Sequence, residues 1–115
     1  MSLGIIGCER SGFPALCVLG KENPEVWEGI VAAIPVPCLG GVEEEMMLEV
    51  LLRCDRLLLV GCPPLSCRGV QGSVLAEKRV ARVSQLLAEA GIPKEVQCVF
   101  AHVHRLGELK ARVLA

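Results

Sequence analysis

The chain has 115 residues, of which 52% are hydrophobic and 22% charged, and its formal net charge is −1. This length suits one domain with its own core, so we expect residues 1–115 to form a single domain, and the high hydrophobic fraction favours a partner that covers part of its surface. The sequence has no basic stripe and no tyrosine, and aromatic residues make up only 3% of it. These features argue against a nucleic-acid-binding protein.

The N-terminal half predicts two strand–helix pairs. Residues 3–7 form a short apolar run that predicts the first strand, and a helix follows with Ser11 as its N-cap and Gly20 as its end. Residues 30–36 are mostly small or β-branched, and Pro35 and Pro37 predict a strand that ends early or lies at the sheet edge. Residues 42–53 predict a helix that buries one face, which carries Met47, Val50, Leu51 and Cys54.

The C-terminal half predicts two further pairs. Residues 56–61 end in a continuous aliphatic run, which is typical of a parallel strand buried on both faces. Ser73 predicts the cap of a helix that ends at Gly91, and residues 96–101 predict a fourth strand before a last helix. The apolar stripe of the third helix comprises Ala76, Val80, Val83, Leu87 and Ala90. This alternation predicts a three-layer α/β domain: a flavodoxin-like, four-stranded parallel sheet in the order 2-1-3-4 with helices on both faces.

Four of the seven cysteines follow predicted strand ends: Cys8 the first, Cys38 the second, and Cys62 and Cys67 the third. Neighbouring strands lie about 5 Å apart, so we expect these thiols to converge at the carboxyl edge of the sheet. Four thiolates suit either tetrahedral zinc or an iron–sulfur cluster, and their collection from three strand ends favours the cluster. The alternative interpretation, in which these four cysteines bind no common metal ion or cluster, is not excluded by their spacing. The other three are expected to be small buried apolar residues: Cys17, Cys54 and Cys98.

The expected compartment agrees with a metal or redox role for the cysteines. No apolar run reaches the roughly 18 residues that span a bilayer, and the start of the chain lacks the basic region of a signal peptide. We therefore expect a cytoplasmic protein with no membrane contact. Because thiols stay reduced in the cytoplasm, a disulfide scaffold is not expected.

Three blocks of the sequence carry a family resemblance: residues 37–42 (PCLGGV), residues 62–73 (CPPLSCRGVQGS) and residues 76–80 (AEKRV). They resemble the delta subunit of methyl-viologen-reducing hydrogenase. That family has Cys-Ser-Gly-Arg-Val after the second strand, Gly-Cys-His-x-Gly-Asp-Cys-His after the third, and then an Ala-x-x-Arg helix. The resemblance extends from Gly7 to about Gly91, and the Gly-Cys-x4-Cys loop is its most specific part.

The resemblance implies a small iron–sulfur subunit with a 2Fe–2S cluster. It implies that electrons pass from the subunits of a hydrogenase, or a similar input module, to a partner of the heterodisulfide reductase type. The implied ligands are Cys8, Cys38, Cys62 and Cys67. The chain departs from the family at Ser11, where the family has a second cysteine, and at Pro63 and Arg68, where it has histidines. Ser66 and Gly41 also replace a family acidic residue and a family arginine. The sequence thus predicts an electron-transfer subunit rather than a self-contained enzyme.

Two alternatives stay open beside the electron-transfer subunit. One is a binding or scaffold domain that has the same fold without a cluster, and the other is a thiol-based redox enzyme that uses Cys62 and Cys67. The Cys-x5-Arg spacing from Cys62 to Arg68 also matches phosphate-binding loops, but Pro63 and Pro64 remove two of the amide donors that such loops need.

Three arginines near the carboxyl edge are candidates to neutralise the charge of a cluster: Arg10, Arg68 and Arg79. His102 and His104 follow the fourth strand and are expected to be solvated loop residues rather than metal ligands. No glycine-rich phosphate-binding signature is present, so no nucleotide is expected.

Overall fold

The computed structural model describes residues 2–62 and 72–115, and strands and helices alternate along them. In chain order the elements are β1 (Leu3–Cys8), α1 (Gly12–Glu22), a first 3₁₀ helix (Pro24–Gly29), β2 (Ile30–Val36), a second 3₁₀ helix (Leu39–Gly41), α2 (Glu44–Leu51), β3 (Arg56–Gly61), α3 (Gly72–Glu89), β4 (Glu95–Phe100) and α4 (Gly107–Val113). None of the helices in these two ranges is long and apolar enough to cross a membrane.

The four strands form one parallel sheet in the order β2-β1-β3-β4, which confirms the predicted topology. β1 and β3 are the central strands, and their pairing runs from Leu3 opposite Arg56 to Gly7 opposite Val60. This register brings the carboxyl ends of β1 and β3 side by side. The residues that follow these two ends are therefore close in space although they lie far apart in sequence.

Alternate residues of the central strands face two separate hydrophobic clusters, one on each side of the sheet. On one side, Ile5, Leu58 and Val60 pack with residues of α1 and α4 that include Leu16, Leu19 and Leu109. On the other side, Ile6, Leu57 and Leu59 pack with residues of α2 and α3 that include Met47, Val50 and Val83. Each fully buried leucine or isoleucine contributes about 1.5–3 kcal/mol to stability. The predicted three-layer arrangement, with helices on both faces, is confirmed.

β2 lies at the sheet edge, which is one of the two alternatives that Pro35 and Pro37 predict. The carbonyl of Val36 accepts a hydrogen bond from the amide of Glu9 at 2.7 Å, so it faces β1. Because backbone groups alternate in direction along a strand, the nitrogen of Pro35 faces the open side of the sheet. A proline nitrogen carries no hydrogen, which hinders the pairing of a further strand at this edge.

The predicted end of α1 at Gly20 is wrong, because the helix continues to Glu22. Gly20 instead allows close packing: a Cβ built there would lie 2.1 Å from Nε1 of Trp27. The indole of Trp27 lies against the helix at this position. Gly20 therefore does not end the helix; it lies inside α1, where the absence of a side chain leaves room for the indole of Trp27.

Three other local predictions differ from the structure. α3 already begins at Gly72, so Ser73 lies inside the helix rather than at its N-cap. Ala90 is exposed and not part of the buried stripe. α2 begins at Glu44 rather than at residue 42. The predicted stop at Gly91 is confirmed, because this residue has a φ of +69°, a conformation that favours glycine.

Candidate functional site

The candidate site lies at the carboxyl edge of the sheet, on the face that α2 and α3 cover. Cys8 is the last residue of β1, and Cys62 directly follows β3. Their Sγ atoms lie 3.8 Å apart, and the two residues are 2% and 9% exposed. A disulfide bond measures about 2.05 Å, so these sulfur atoms are in contact without being bonded. Two of the predicted site residues thus meet as the topology predicts.

This sulfur–sulfur distance fits a shared metal ion. Two thiolates bound tetrahedrally to one metal, with bonds of about 2.3 Å, lie roughly 3.8 Å apart. The same distance fits an S–H···S contact between two thiols. The strands therefore hold the pair at a spacing that metal binding would not need to change.

Backbone amides point at two of the candidate sulfur atoms. The amide of Gly12 donates to Sγ of Cys8 at 3.2 Å, and the amide of Gly40 donates to Sγ of Cys38 at 3.4 Å. Gly12 is the first residue of α1, and the first amides of a helix have no acceptor within it. Such N–H donors favour negative charge on sulfur and tune the potential of iron–sulfur centres. The donor set at this edge therefore suits thiolate ligands.

Glycines permit the close backbone approaches that position these amides. A Cβ built on Gly12 would lie 1.9 Å from the carbonyl oxygen of Val60, and one on Gly40 would lie 3.0 Å from Cα of Gly72. The start of α1 therefore packs directly on the end of β3, and the turn after β2 packs on the start of α3. Sequence reasoning did not identify these two glycines. The signal was present, because they follow the first two candidate cysteines by four and two positions.

Cys38 lies at the N-cap of the second 3₁₀ helix. This helix contacts β1, β3 and α3, so it lies beside the strand ends that position the other thiols. Arg79 of α3 holds it there: Nη1 donates to the carbonyl oxygens of Gly40 at 2.5 Å and Val42 at 3.1 Å. Arg79 was predicted only as a source of positive charge. Its anchoring of the turn was missed.

The predicted set of four ligands is brought together in part. Cys8 and Cys62 are in contact, whereas Cys67 lies outside the described residues, together with Pro63, Arg68 and the rest of positions 63–71. Within positions 2–62 and 72–115, no three cysteine, histidine, aspartate or glutamate side chains form a group that could hold a metal ion. Cys38 thus does not complete a three-ligand group with the contacting pair. The four-thiol site stays a prediction.

Ser11, which stands where the related family has a cysteine, has a structural role. It is 9% exposed, and its hydroxyl donates to the carbonyl of Ala101 at 2.6 Å. It occupies the N-cap position of α1, as predicted, but its side chain makes no capping hydrogen bond. This hydroxyl therefore ties the start of α1 to the residue that follows β4.

The two histidines lie in a turn that follows β4. The amide of His104 donates to Nδ1 of His102 at 3.1 Å, and the two rings meet edge to face with centroids 5.8 Å apart. The amide of Arg105 closes the turn on the carbonyl of His102 at 2.8 Å. His104 is exposed and His102 is half-buried. The proximity of the rings follows from this local turn, in agreement with the prediction of loop residues.

The remaining cysteines differ in environment. Burial raises the pKa of Cys54, and its thiol donates to the carbonyl of Val50 at 3.3 Å. Burial, together with the nearby charge of Glu77, raises the pKa of Cys98 to about 12. Both pKa shifts favour the protonated thiol at neutral pH. Cys54 is buried, as predicted, whereas Cys98 is only half-buried and packs against the cluster on the side of α2 and α3. The prediction for Cys17 is wrong, because this residue is exposed on α1.

Comparison with known proteins gives one family match. A family model described as methyl-viologen-reducing hydrogenase, delta subunit, matches residues 5–113. The matched range includes each of the four candidate cysteines and nearly the whole sheet. No curated protein matches the chain.

Proposed function

The chain belongs to the methyl-viologen-reducing hydrogenase delta subunit family, and from this premise we propose that it is an iron–sulfur electron-transfer subunit. Its proposed place is between a hydrogenase, or a similar input module, and a heterodisulfide reductase-type partner. The observation that supports an electron carrier is the buried contact between Cys8 and Cys62, whose sulfur atoms lie 3.8 Å apart at the carboxyl edge.

The charge of such a buried pair gives a physical reason for a metal. Two thiolates 3.8 Å apart repel each other by roughly 4 kcal/mol at an effective dielectric constant of about 20. Their burial adds a further cost, since charges are poorly tolerated away from water. A metal ion bound to both sulfur atoms would offset these two costs, and its binding would release the thiol protons.

The proposed cluster is of the 2Fe–2S type, and its proposed ligands are Cys8, Cys38, Cys62 and Cys67. When bound, such a cluster supplies transfer of one electron at a time. The part of the protein is to hold the sulfur atoms, to exclude water from the Cys8–Cys62 contact, and to direct the amides of Gly12 and Gly40 at sulfur. Hydrogen bonds of this kind are among the features that set the reduction potential of a cluster.

The test is iron and acid-labile sulfide analysis of protein expressed and purified without oxygen. We expect brown protein with a 2Fe–2S stoichiometry, and most of the iron lost when serine replaces any one of the four proposed ligands. Cys17→Ser is the matched control, because Cys17 is exposed on α1 and should leave the iron content unchanged. Colourless protein that also fails to take up iron and sulfide on anaerobic reconstitution would refute the proposal.

One observation favours a second candidate, a binding or scaffold domain without a cluster. The hydroxyl of Ser11 stands at a family cysteine position and is engaged by the carbonyl of Ala101. A chain that has lost one family thiol to a structural role fits a fold retained for partner binding. The same analysis separates the two candidates, because a scaffold would bind its partners while containing no iron or sulfide.

A further inference from the structure

Arg79 makes an unusual pair of contacts for a helix residue. A single nitrogen, Nη1, donates to two backbone carbonyls of the turn that follows Cys38, those of Gly40 and Val42. The backbone carbonyls of a turn that is packed against a helix need hydrogen-bond donors. For these two carbonyls, a side chain of α3 supplies a donor.

Three backbone amides of the turn donate within it. The amide of Gly41 donates to the carbonyl of Cys38 at 3.1 Å, and the amide of Val42 donates to the carbonyl of Leu39 at 3.0 Å. The amide of Gly40 donates to Sγ of Cys38. The internal bonds therefore fix the shape of the turn, and Arg79 fixes its position relative to the rest of the protein.

α3 contacts this turn at two points on one face of the helix. Gly72 meets Gly40 through the backbone, and Arg79 follows seven residues later, a spacing that returns to the same side of a helix. This side faces inward, because Ala76 and Val83 are fully buried. Gly72 also directly follows positions 62–71, which carry two of the proposed ligands. One helix thus links the Cys38 turn to the segment that contains Cys67.

The guanidinium of Arg79 also keeps its charge available to the site. In the part of the chain that the structure describes, no carboxylate pairs with Arg79, whereas Arg82 forms an ion pair with Glu44 at 3.3 Å. Among the described residues its bonds go to two backbone carbonyls, so the guanidinium contributes a positive charge beside a turn whose cysteine is a proposed thiolate ligand.

We infer that Arg79 is a positioning residue: it holds the Cys38 turn against α3 in the arrangement that a shared metal site needs. The part of this inference that concerns iron rests on the proposed function, whereas the part that concerns the turn does not. A metal-free measurement can therefore test the position of the turn by itself.

The experiment compares Arg79→Gln and Arg79→Lys with Arg82→Gln, which removes the same charge from the same helix. In the metal-free protein we expect amide hydrogen exchange at Gly41 and Val42 to be about tenfold faster in Arg79→Gln, since both bonds to a charged donor are lost. Alkylation of Cys38 by iodoacetamide should accelerate in parallel. Arg79→Lys should restore most of the protection, and Arg82→Gln should match the wild type.

After anaerobic reconstitution, Arg79→Gln should lose iron to a chelator several-fold faster than Arg82→Gln and show an altered visible spectrum. Unchanged exchange in Arg79→Gln, or an equal increase in Arg82→Gln, would overturn the inference. If Arg79→Gln does not fold, exchange at Gly41 and Val42 that is about tenfold faster in Arg79→Lys than in the wild type would overturn it, because lysine still supplies a charged donor to the two carbonyls. Absence of iron from every protein, wild type included, would refute the proposed function and leave the exchange result to decide the role of Arg79.

Discussion

Gly12→Ala tests whether backbone packing sets the position of Cys8. A Cβ at residue 12 would lie 1.9 Å from the carbonyl oxygen of Val60, 2.5 Å from its carbonyl carbon and 3.2 Å from the amide nitrogen of Gly61. These atoms belong to β3, which pairs with a strand on each side, so they cannot move without disturbing the sheet. The added methyl group must therefore displace the start of α1.

The size of the effect follows from these distances. Ordinary contact begins at 3.4 Å, so the start of α1 must retreat by roughly 1.5 Å (3.4 − 1.9). Overpacking of a buried site costs about 1–3 kcal/mol, and loss of the hydrogen bond from Gly12 to Sγ of Cys8 costs about 1 kcal/mol more. We expect the free energy of unfolding to fall by about 3 kcal/mol, a large part of the 5–15 kcal/mol typical of a domain.

Urea denaturation of the metal-free protein measures this loss, with Gly107→Ala as the matched control. A Cβ on Gly107, the first residue of α4, would meet nothing within 4 Å, so its change in stability should stay within about 0.5 kcal/mol. Alkylation of Cys8 should also accelerate in Gly12→Ala, because its cover is displaced. Equal stability of the two variants would show that α1 does not press on β3 and would refute the reasoning.

Three further predictions concern Cys98, Asp55 and Gly20. Because the pKa of Cys98 is about 12 against an ordinary 9.0, its alkylation at pH 8, followed by mass spectrometry, should be about a thousandfold slower than that of an unperturbed thiol. Hydrogen bonds from the backbone and side chain of Ser2 hold the pKa of Asp55 below its usual 3.8. The stability that this carboxylate contributes is therefore present above pH 3.8 and lost as the pH falls through the lowered pKa. Asp55→Asn should lower the urea midpoint at pH 7, and its difference from the wild type should close in acid; a difference independent of pH would contradict the assignment. Gly20→Ala should push the indole of Trp27 away from α1 and shift its fluorescence to longer wavelength, since a Cβ would lie 2.1 Å from Nε1. This is the sole tryptophan of the chain, so an unchanged emission spectrum would exclude the displacement.

The order of the strands was predictable because it depends on short-range signals. The aliphatic run within β3 is typical of a buried strand, and Pro35 of β2 favours a position at the sheet edge. Helices between consecutive strands then leave few allowed topologies. Helix ends were less predictable, since the glycine at position 20 serves a contact with Trp27 that lies beyond the end of the helix. A residue type alone does not separate a helix end from a close tertiary contact.

The candidate site was predictable where it depends on strand ends and not where it depends on distant partners. Cys8 and Cys62 meet because parallel neighbouring strands end at the same edge. By contrast, Ser11 bonds to the carbonyl of Ala101, which lies 90 residues away, and Arg79 reaches a carbonyl 39 residues before it. Such contacts depend on the docking of complete elements, which no local pattern encodes.

Close backbone packing positions the thiol pair. Cys8 lies between two glycines of close approach: a Cβ on Gly7 would lie 2.9 Å from the amide nitrogen of Phe13, and one on Gly12 would reach the backbone of β3. The hydrophobic clusters on both sides of the sheet consist mainly of aliphatic side chains. Cys8 and Cys62 belong to only one of these clusters and form a small part of it. In small domains that fold only around a metal, binding must also supply the free energy of ordering the ligands. Here the strands hold two sulfur atoms at the spacing that the proposed metal site requires, so the ordering of these two ligands would subtract little from the affinity of that site.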